Sequence, residues 1–329
     1  MFCCIIITTI ICRYLLCCKS VSYTFYQNSG FIFGTQYHIT YKYTENLENL
    51  LIQNLETIDD HLSAFNSHST LSLINQNKNN KLDRMTEDVI QLALNISEIT
   101  NGAFDITVAP LVNAYGFGFK NIDNITPSSI DSLMKNVGYK NISINDHKLK
   151  KTSPDITLDC SGIAKGYACD VIADFFDKLQ IKDYLIEIGG EIRAKGKNRS
   201  NAIWKIGISD PREDSTHNRP QHSVAMITAS NTGIATSGNY RNFYYKDGRK
   251  YAHTIDPRTG LPAESDILSA TVIAPTCAEA DAYATAFMVL GLESSKKILS
   301  EQKHLLAYFI YTAETGENKI WTNNKTSIP

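Results

Sequence analysis

The order of strand-like and helix-like segments is the feature of this 329-residue sequence that most constrains its fold. Residues 36–43 alternate apolar and polar side chains, as a half-buried strand does. Between Leu47 and Leu62, leucine and isoleucine recur at three- and four-residue spacing, which predicts an amphipathic helix. Later segments of both kinds do not follow the regular β-α-β-α order of a doubly wound sheet. The sequence therefore predicts an α+β fold with mostly antiparallel sheets.

Residue types at segment ends predict where several of these elements begin and end. Thr86 is expected to cap a helix that ends before Gly102. Thr276 and Glu279 match a capping box, which predicts a helix that runs to about Leu290. Two more helices are expected over 128–137 and 163–179, and further strands at YLIEIGGEI, WKIGIS, SVAMITAS, LSATVIA, HLLAYFIYT and NKIWT.

The first 18 residues form an apolar stretch that is interrupted by Arg13 and holds five of the eight cysteines. It resembles the apolar region of an export signal and is too short for a membrane span. Its end, YLLCC, loosely resembles a lipoprotein site with Cys17 or Cys18 lipidated, and an uncleaved membrane anchor is the alternative. Either alternative predicts an exported protein that its N-terminus holds at the inner membrane, on the periplasmic or extracytoplasmic side.

Composition narrows the remaining function classes. A net charge of −2 and the lack of a basic run give no footprint for nucleic-acid binding. Cys160, Cys169 and Cys277 form no C-x-x-C pair and sit among small residues, so we expect them to be buried packing residues. No linker marks a boundary, and residues 22–329 are expected to form a single domain.

A glycine-lysine loop, Gly162 to Gly166 with Lys165 inside it, stands where a helix is predicted to start. The spacing does not match the G-x-x-x-x-G-K-[ST] phosphate loop, and no G-x-G-x-x-G fingerprint occurs in the chain. Backbone N–H groups at a helix start, together with a lysine, suit an anionic diphosphate. The loop alone favours the alternative, a tight turn with a solvated lysine.

Asp281 and Thr285 lie four residues apart on one face of a predicted helix. A carboxylate and a hydroxyl are oxygen ligands of the kind that Mg²⁺ accepts, and the alternative is a packed helix with an exposed aspartate. His253 precedes the predicted tight turn Asp256–Gly260, where it is either a general base or a turn cap.

Eight segments, in order, resemble one family: the sequence is similar to the FAD:protein FMN transferases of the ApbE family. The resemblance runs from about Gly34 to the final strands. Its segments are FGTQYHITY, HLSAFNSHSTLSLIN, GAFDITVAPLVNAYGFG, LDCSGIAKGYACD, IEIGGEI, ATSGNYRNFY, HTIDPRTGLP and EADAYATAFMVLG.

The resemblance implies a two-lobed, T-fold-like architecture with a flavin cleft between the lobes. It implies Mg²⁺-dependent transfer of FMN from FAD to a Thr or Ser hydroxyl of an acceptor flavoprotein or redox-pump subunit, with release of AMP. An FAD pyrophosphatase that gives FMN and AMP is the near alternative. A non-catalytic FAD-binding lipoprotein is the more distant one.

The family pattern also assigns residues by motif position. The Mg²⁺ ligands would be Asp281, Thr285 and the carbonyl of Gly162, and His253 would be the catalytic base. The expected FAD contacts are Phe33, Ala64, Phe65, Asn66, Gly102, Ala103, Phe104, Asp159, Lys165 and Ile255. Two positions depart from the family pattern: Asn239 stands where an acid is frequent, and Phe33 stands where methionine is usual.

Overall fold

The computed structural model describes residues 22–117, 126–209, 223–238, 243–246, 249–252 and 254–323. The predicted leader, residues 1–18, lies outside this range. None of the helices in the described ranges is long and apolar enough to cross a membrane.

An antiparallel sheet of eight strands forms the centre of the described structure, and every neighbouring pair of its strands is antiparallel. In sheet order the strands are β1 (Thr24–Ile32), β2 (Thr35–Tyr43), β5 (Tyr184–Ile188), β6 (Glu191–Lys195), β9 (Thr232–Gly238), β14 (Ile267–Ala274), β15 (Leu306–Thr312) and β16 (Asn318–Thr322). The expectation of mostly antiparallel sheets is therefore confirmed.

The other described strands form separate hairpins. They are β3 (Ile142–Asn145) with β4 (Lys148–Lys151), β7 (Trp204–Ser209) with β8 (Ser223–Ala229), β10 (Phe243–Lys246) with β11 (Arg249–Ala252), and β12 (Ile255–Asp256) with β13 (Leu261–Pro262). The helices are α1 (Glu48–Leu62), α2 (Thr70–Asn75), α3 (Arg84–Ile99), α4 (Ala109–Ala114), α5 (Pro127–Met134), α6 (Ala164–Lys178) and α7 (Cys277–Glu301).

The apolar stripe of α1 packs as its spacing predicts. Leu51, Leu55, Ile58 and Leu62 are all buried in the main core. This core also includes the inner faces of β2 and β5 and much of α6 and α7. Burying these leucine and isoleucine side chains contributes about 1.5–3 kcal/mol each, which fixes α1 against the rest of the protein.

The expectation that Thr86 caps the second helix is wrong. The helix begins one turn earlier, and Asp83 is its N-cap. The Thr86 N–H and hydroxyl both donate to the Asp83 carboxylate, at 3.0 and 2.7 Å. Thr86 is thus the residue whose N–H the cap accepts, three positions into the turn, because an N-cap side chain bonds to the second or third helical residue.

Helix α7 is also longer than expected. Thr276 caps it by accepting the N–H of Glu279, but the Glu279 carboxylate contacts His304 at 2.7 Å instead of completing a capping box. Gly291 has a positive φ of 73°, so the first helical segment ends near the predicted Leu290 and a second segment follows to Glu301. A side chain with a Cβ would strain this break, which glycine tolerates.

Asp83 gives a testable account of helix-cap stability. Burial raises the pKa of the Asp83 carboxyl. Hydrogen bonds from Thr86 and Thr70, together with the nearby His61, lower this pKa by more, so the net shift is downward. Asp83→Ala is expected to lose about 1 kcal/mol of unfolding free energy at pH 7. Asp83→Asn keeps the cap oxygen and is expected to lose less.

The two variants separate the stability that comes from the cap hydrogen bond from the stability that comes from the negative charge of Asp83. A lowered native-state pKa stabilises the protein above the unfolded-state value of about 3.9, and this stability is lost as the pH falls through the native value. Urea unfolding of wild type and Asp83→Asn should therefore show a difference at pH 7 that closes below about pH 4. A difference that does not change with pH would contradict this account.

Candidate functional site

A cavity of about 1030 Å³ opens where α6 begins, between the β5–β6 turn, the first turns of α7 and the chain after α3. Its volume is at the upper end of the range for small-molecule sites. Nine of the residues expected from the sequence line it: Phe65, Ala103, Phe104, Asp159, Gly162, Lys165, Ile255, Asp281 and Thr285.

Four other expected contact residues stand next to this lining without being part of it. Ala64 and Asn66 flank Phe65, and Gly102 directly precedes Ala103. Phe33 occupies the two-residue turn between β1 and β2.

This turn approaches the cavity through the residues that follow it. A Cβ built on Gly189, which lines the cavity, would lie 2.8 Å from the Thr35 methyl group. Phe33 and Gly34 both have positive φ, as a two-residue type I′ hairpin turn requires. The turn therefore stands at the cavity edge.

His253 and Asn239 lie outside the described residues. The two residues that follow His253, Thr254 and Ile255, are buried and line the cavity. The predicted turn Asp256–Gly260 is present: the Gly260 N–H donates to the Asp256 carbonyl, and Gly260 has a φ of 73°.

The glycine-lysine loop and the Asp281 helix meet at their N-termini. The Gly166 N–H donates to Asp281 Oδ2 at 3.1 Å, although 115 residues separate the two in sequence. A Cβ on Gly166 would clash with the Cys277 carbonyl and lie 2.8 Å from the Ala278 Cα. Gly166 therefore lets α6 contact α7, and the loop's second glycine is a packing residue.

Asp170, one turn farther along α6, caps the start of α7. Its carboxylate accepts the N–H groups of Cys277 and Ala278 at 2.9 and 2.8 Å, and Arg193 lies 3.5 Å away. Burial raises the pKa of Asp170 to about 6, against the opposing effect of these donors and of Arg193. Cys277 and the other two described cysteines, Cys160 and Cys169, are free and buried, as expected.

Asp281 and Thr285 present oxygen atoms to the cavity beside Gly162. Asp281 is 3% exposed, so the alternative of an exposed aspartate is wrong. A Cβ on Gly162 would lie 3.1 Å from Thr285 Oγ1, which places the Gly162 backbone against this hydroxyl. Ser237 Oγ is 3.4 Å from the same oxygen.

This donor set fits a hard divalent cation, which prefers carboxylate, hydroxyl and carbonyl oxygens. Within the described ranges, no three His, Cys, Asp or Glu side chains group as a metal-binding cluster. The expected set contains a single side chain of these types, Asp281.

Lys165 stands between two acidic side chains, one of which sequence reasoning missed. Its ammonium lies 3.6 Å from Glu191 Oε1. Burial lowers the pKa of Lys165, but the charges of Glu191 and Asp281 raise it, and the net shift is upward. The alternative of a fully solvated lysine is therefore wrong, because its side chain is 29% exposed and held by a buried acid.

The pKa values of Glu191 and Asp281 are also raised, but for a different reason. Burial raises the pKa of both carboxyl groups, and the Lys165 charge offsets part of this rise. The sequence does not indicate that Glu191 is a site residue, because an acid after a Gly-Gly turn is as typical of an exposed hairpin as of a buried site. Its burial results from the pairing of β6 inside the large sheet.

Comparisons with known proteins agree on one family. The sequence profile described as the ApbE family matches residues 33–310. A Vibrio cholerae protein named FAD:protein FMN transferase is 36% identical over 300 residues, which cover 88% of each chain. An Escherichia coli K12 protein of the same name is 34% identical, over 85% of this chain and 80% of its own.

Solved structures of the family share this fold. The flavin transferase ApbE from Vibrio cholerae superposes with a TM-score of 0.81 at 31% identity, over 92% of this chain and 97% of its own. The apo flavinyl transferase ApbE of Pseudomonas stutzeri gives 0.78 at 29% identity, over 93% and 95%. The predicted α+β fold and the family resemblance are confirmed.

Gly166→Ala tests the contact between α6 and α7. The added methyl group would overlap the Cys277 carbonyl, and we expect a loss of about 3 kcal/mol of unfolding free energy. Ser161→Ala, at an exposed position in the same loop, is the control and should change stability little. Chemical denaturation of both variants checks this, and wild-type stability of Gly166→Ala would contradict the close approach.

Proposed function

The chain belongs to the ApbE family, and on that basis we propose that it transfers the FMN half of FAD to a Thr or Ser hydroxyl of an acceptor protein and releases AMP. The relatives' shared name supports a transferase that takes flavin from FAD to a protein. The observation that carries the proposal is the hydrogen bond between Gly166 and Asp281, which unites two distant motifs in one cavity.

Three oxygen-bearing groups in this cavity would form the ligand set of a metal ion. Asp281, Thr285 and the Gly162 carbonyl would hold Mg²⁺, which when bound offsets the negative charge of a diphosphate. Lys165 lines the same cavity, and its raised pKa keeps it cationic at neutral pH. It therefore supplies a second positive charge from the protein itself.

The bond changes of the proposed reaction balance without a redox partner. The acceptor oxygen bonds to the FMN phosphorus, and the bond from that phosphorus to the bridging oxygen breaks. AMP leaves with the bridging oxygen. His253 is the base that we assign to take the hydroxyl proton, a role that typically contributes about 10²–10⁴-fold to the rate.

The apolar part of the cavity would hold the flavin. Phe104 is buried and Phe65 is 79% exposed at the rim, while Ala103 and Ile255 are buried. Asp159 also lines the cavity and belongs to the proposed contact set. Its Oδ1 accepts the Ser161 N–H at 2.8 Å, which fixes the start of the glycine-lysine loop. Phe33, Ala64, Asn66 and Gly102 adjoin these residues and stay in the proposed contact set.

The proposed acceptor rests on the family resemblance, and the proposed location rests on the apolar leader. We propose that the acceptor is a flavoprotein or redox-pump subunit with a short Asp/Ser-Gly-Ala/Ser-Thr stretch. The apolar leader supports export and attachment to the inner membrane on the extracytoplasmic side, through Cys17 or Cys18 or an uncleaved anchor.

A transfer assay tests the proposed reaction. The full chain is incubated with FAD, Mg²⁺ and an acceptor protein that carries an Asp-Gly-Ala-Thr stretch. We expect a mass gain equal to FMN on the acceptor threonine, and none when that threonine is alanine. Free FMN and AMP with unmodified acceptor would identify a pyrophosphatase, and bound, uncleaved FAD would identify a binding protein.

Asp281→Asn tests the proposed metal ligand. Asparagine keeps an oxygen acceptor for the Gly166 N–H but removes the charge, so the variant should fold and lose about 10³-fold in transfer rate. Glu279→Gln is the matched control, because Glu279 lies on the same helix but contacts His304 outside the cavity. Equal rates for wild type and Asp281→Asn would remove Asp281 from the metal site.

A further inference from the structure

Glu191 is an acidic residue of the cavity wall that the proposed reaction does not use. It is the first residue of β6 and directly follows Gly189 and Gly190, both of which have positive φ. It lines the cavity and is 5% exposed. Lys165 and Asp281 line the same cavity.

In the Glu191–Lys165 pair, the acidic side chain is buried more deeply than the lysine side chain. The two charged groups lie 3.6 Å apart, but the Glu191 side chain is 6% exposed and the Lys165 side chain is 29% exposed. The carboxylate is therefore largely closed to solvent, while part of the lysine side chain remains accessible.

Two further contacts restrict the Lys165 side chain. Its ammonium donates to the Ser161 carbonyl at 3.4 Å. Its Cδ would lie 3.2 Å from a Cβ on Gly189, so the stem of the side chain runs close past the β5–β6 turn. A lysine has high rotamer entropy, and fixing it before a ligand arrives lowers the cost of binding.

The other oxygen of Glu191 also favours a role at the site. Oε2 is buried and has no hydrogen-bond partner among the described residues. A buried carboxylate with one bare oxygen is costly, and an apolar side chain of similar size is frequently as stable or more stable in such a place. Stability of β6 therefore gives little reason for an acid here.

We propose that Glu191 is a positioning residue that holds the Lys165 ammonium toward the diphosphate of bound FAD. This inference rests on the proposed function, because it concerns the same cavity and the same substrate. Glu191 would act through Lys165 alone. Its effect should therefore extend to the phosphate groups of a ligand and not to the flavin ring.

Binding of FAD and of riboflavin, measured by flavin fluorescence without Mg²⁺, tests this role. Riboflavin has the same ring and no phosphate. In Glu191→Leu we expect the Kd for FAD to rise about tenfold and the Kd for riboflavin to stay within about twofold. Glu191→Gln keeps an oxygen acceptor for Lys165, and its Kd for FAD should rise only about threefold.

Lys165→Met supplies the reference for coupling. Adding Glu191→Leu to Lys165→Met should not weaken FAD binding further, because the positioned ammonium is already absent. Additive effects, equal losses for both flavins, or an unchanged Kd for FAD in both Glu191 variants would overturn the proposal. A wild-type protein that binds no FAD would instead overturn the proposed function.

Discussion

Two helix N-termini meet at the cavity, and the placement of its charged groups depends on this contact. The start of α6 lies against the start of α7 because residue 166 is a glycine. The Gly166 N–H donates to the Asp281 carboxylate and joins the two helices. Helix N-termini carry partial positive charge and unpaired N–H groups. Asp170 of α6 accepts N–H groups from the start of α7, and Asp281 of α7 accepts an N–H group from the start of α6. These hydrogen bonds stabilise two helix N-termini that would otherwise repel each other.

The same contact explains how a weak loop motif becomes specific. Gly162 and Gly166 have different tasks: the first leaves its backbone open beside Thr285, and the second admits α7. Lys165, between them, lines the cavity, and its ammonium lies 3.6 Å from Glu191 Oε1. The loop thus differs from a triphosphate loop. Gly166 serves helix packing, Gly162 would supply a carbonyl ligand in the proposed site, and the positive charge comes from a paired lysine.

Local patterns predicted the parts of the fold that local physics decides. The stripe of α1, the alternation of β2 and the burial of the three cysteines follow from side-chain period and size. The sequence misplaces the cap of α3, because Asp83 and Thr86 are both capping residue types and lie one turn apart. The site set came from resemblance, because the Gly166–Asp281 contact spans 115 residues and no local pattern encodes it.

In the proposed reaction, an acceptor hydroxyl, and not water, attacks the FMN phosphorus of FAD. Running the reaction in ¹⁸O-labelled water, with an acceptor that bears a reactive threonine, tests it directly by mass spectrometry of the products. We expect unlabelled AMP and an unlabelled FMN ester on the acceptor, since every oxygen comes from FAD or the threonine. Free FMN or AMP that carries ¹⁸O, with no ester formed, would contradict it.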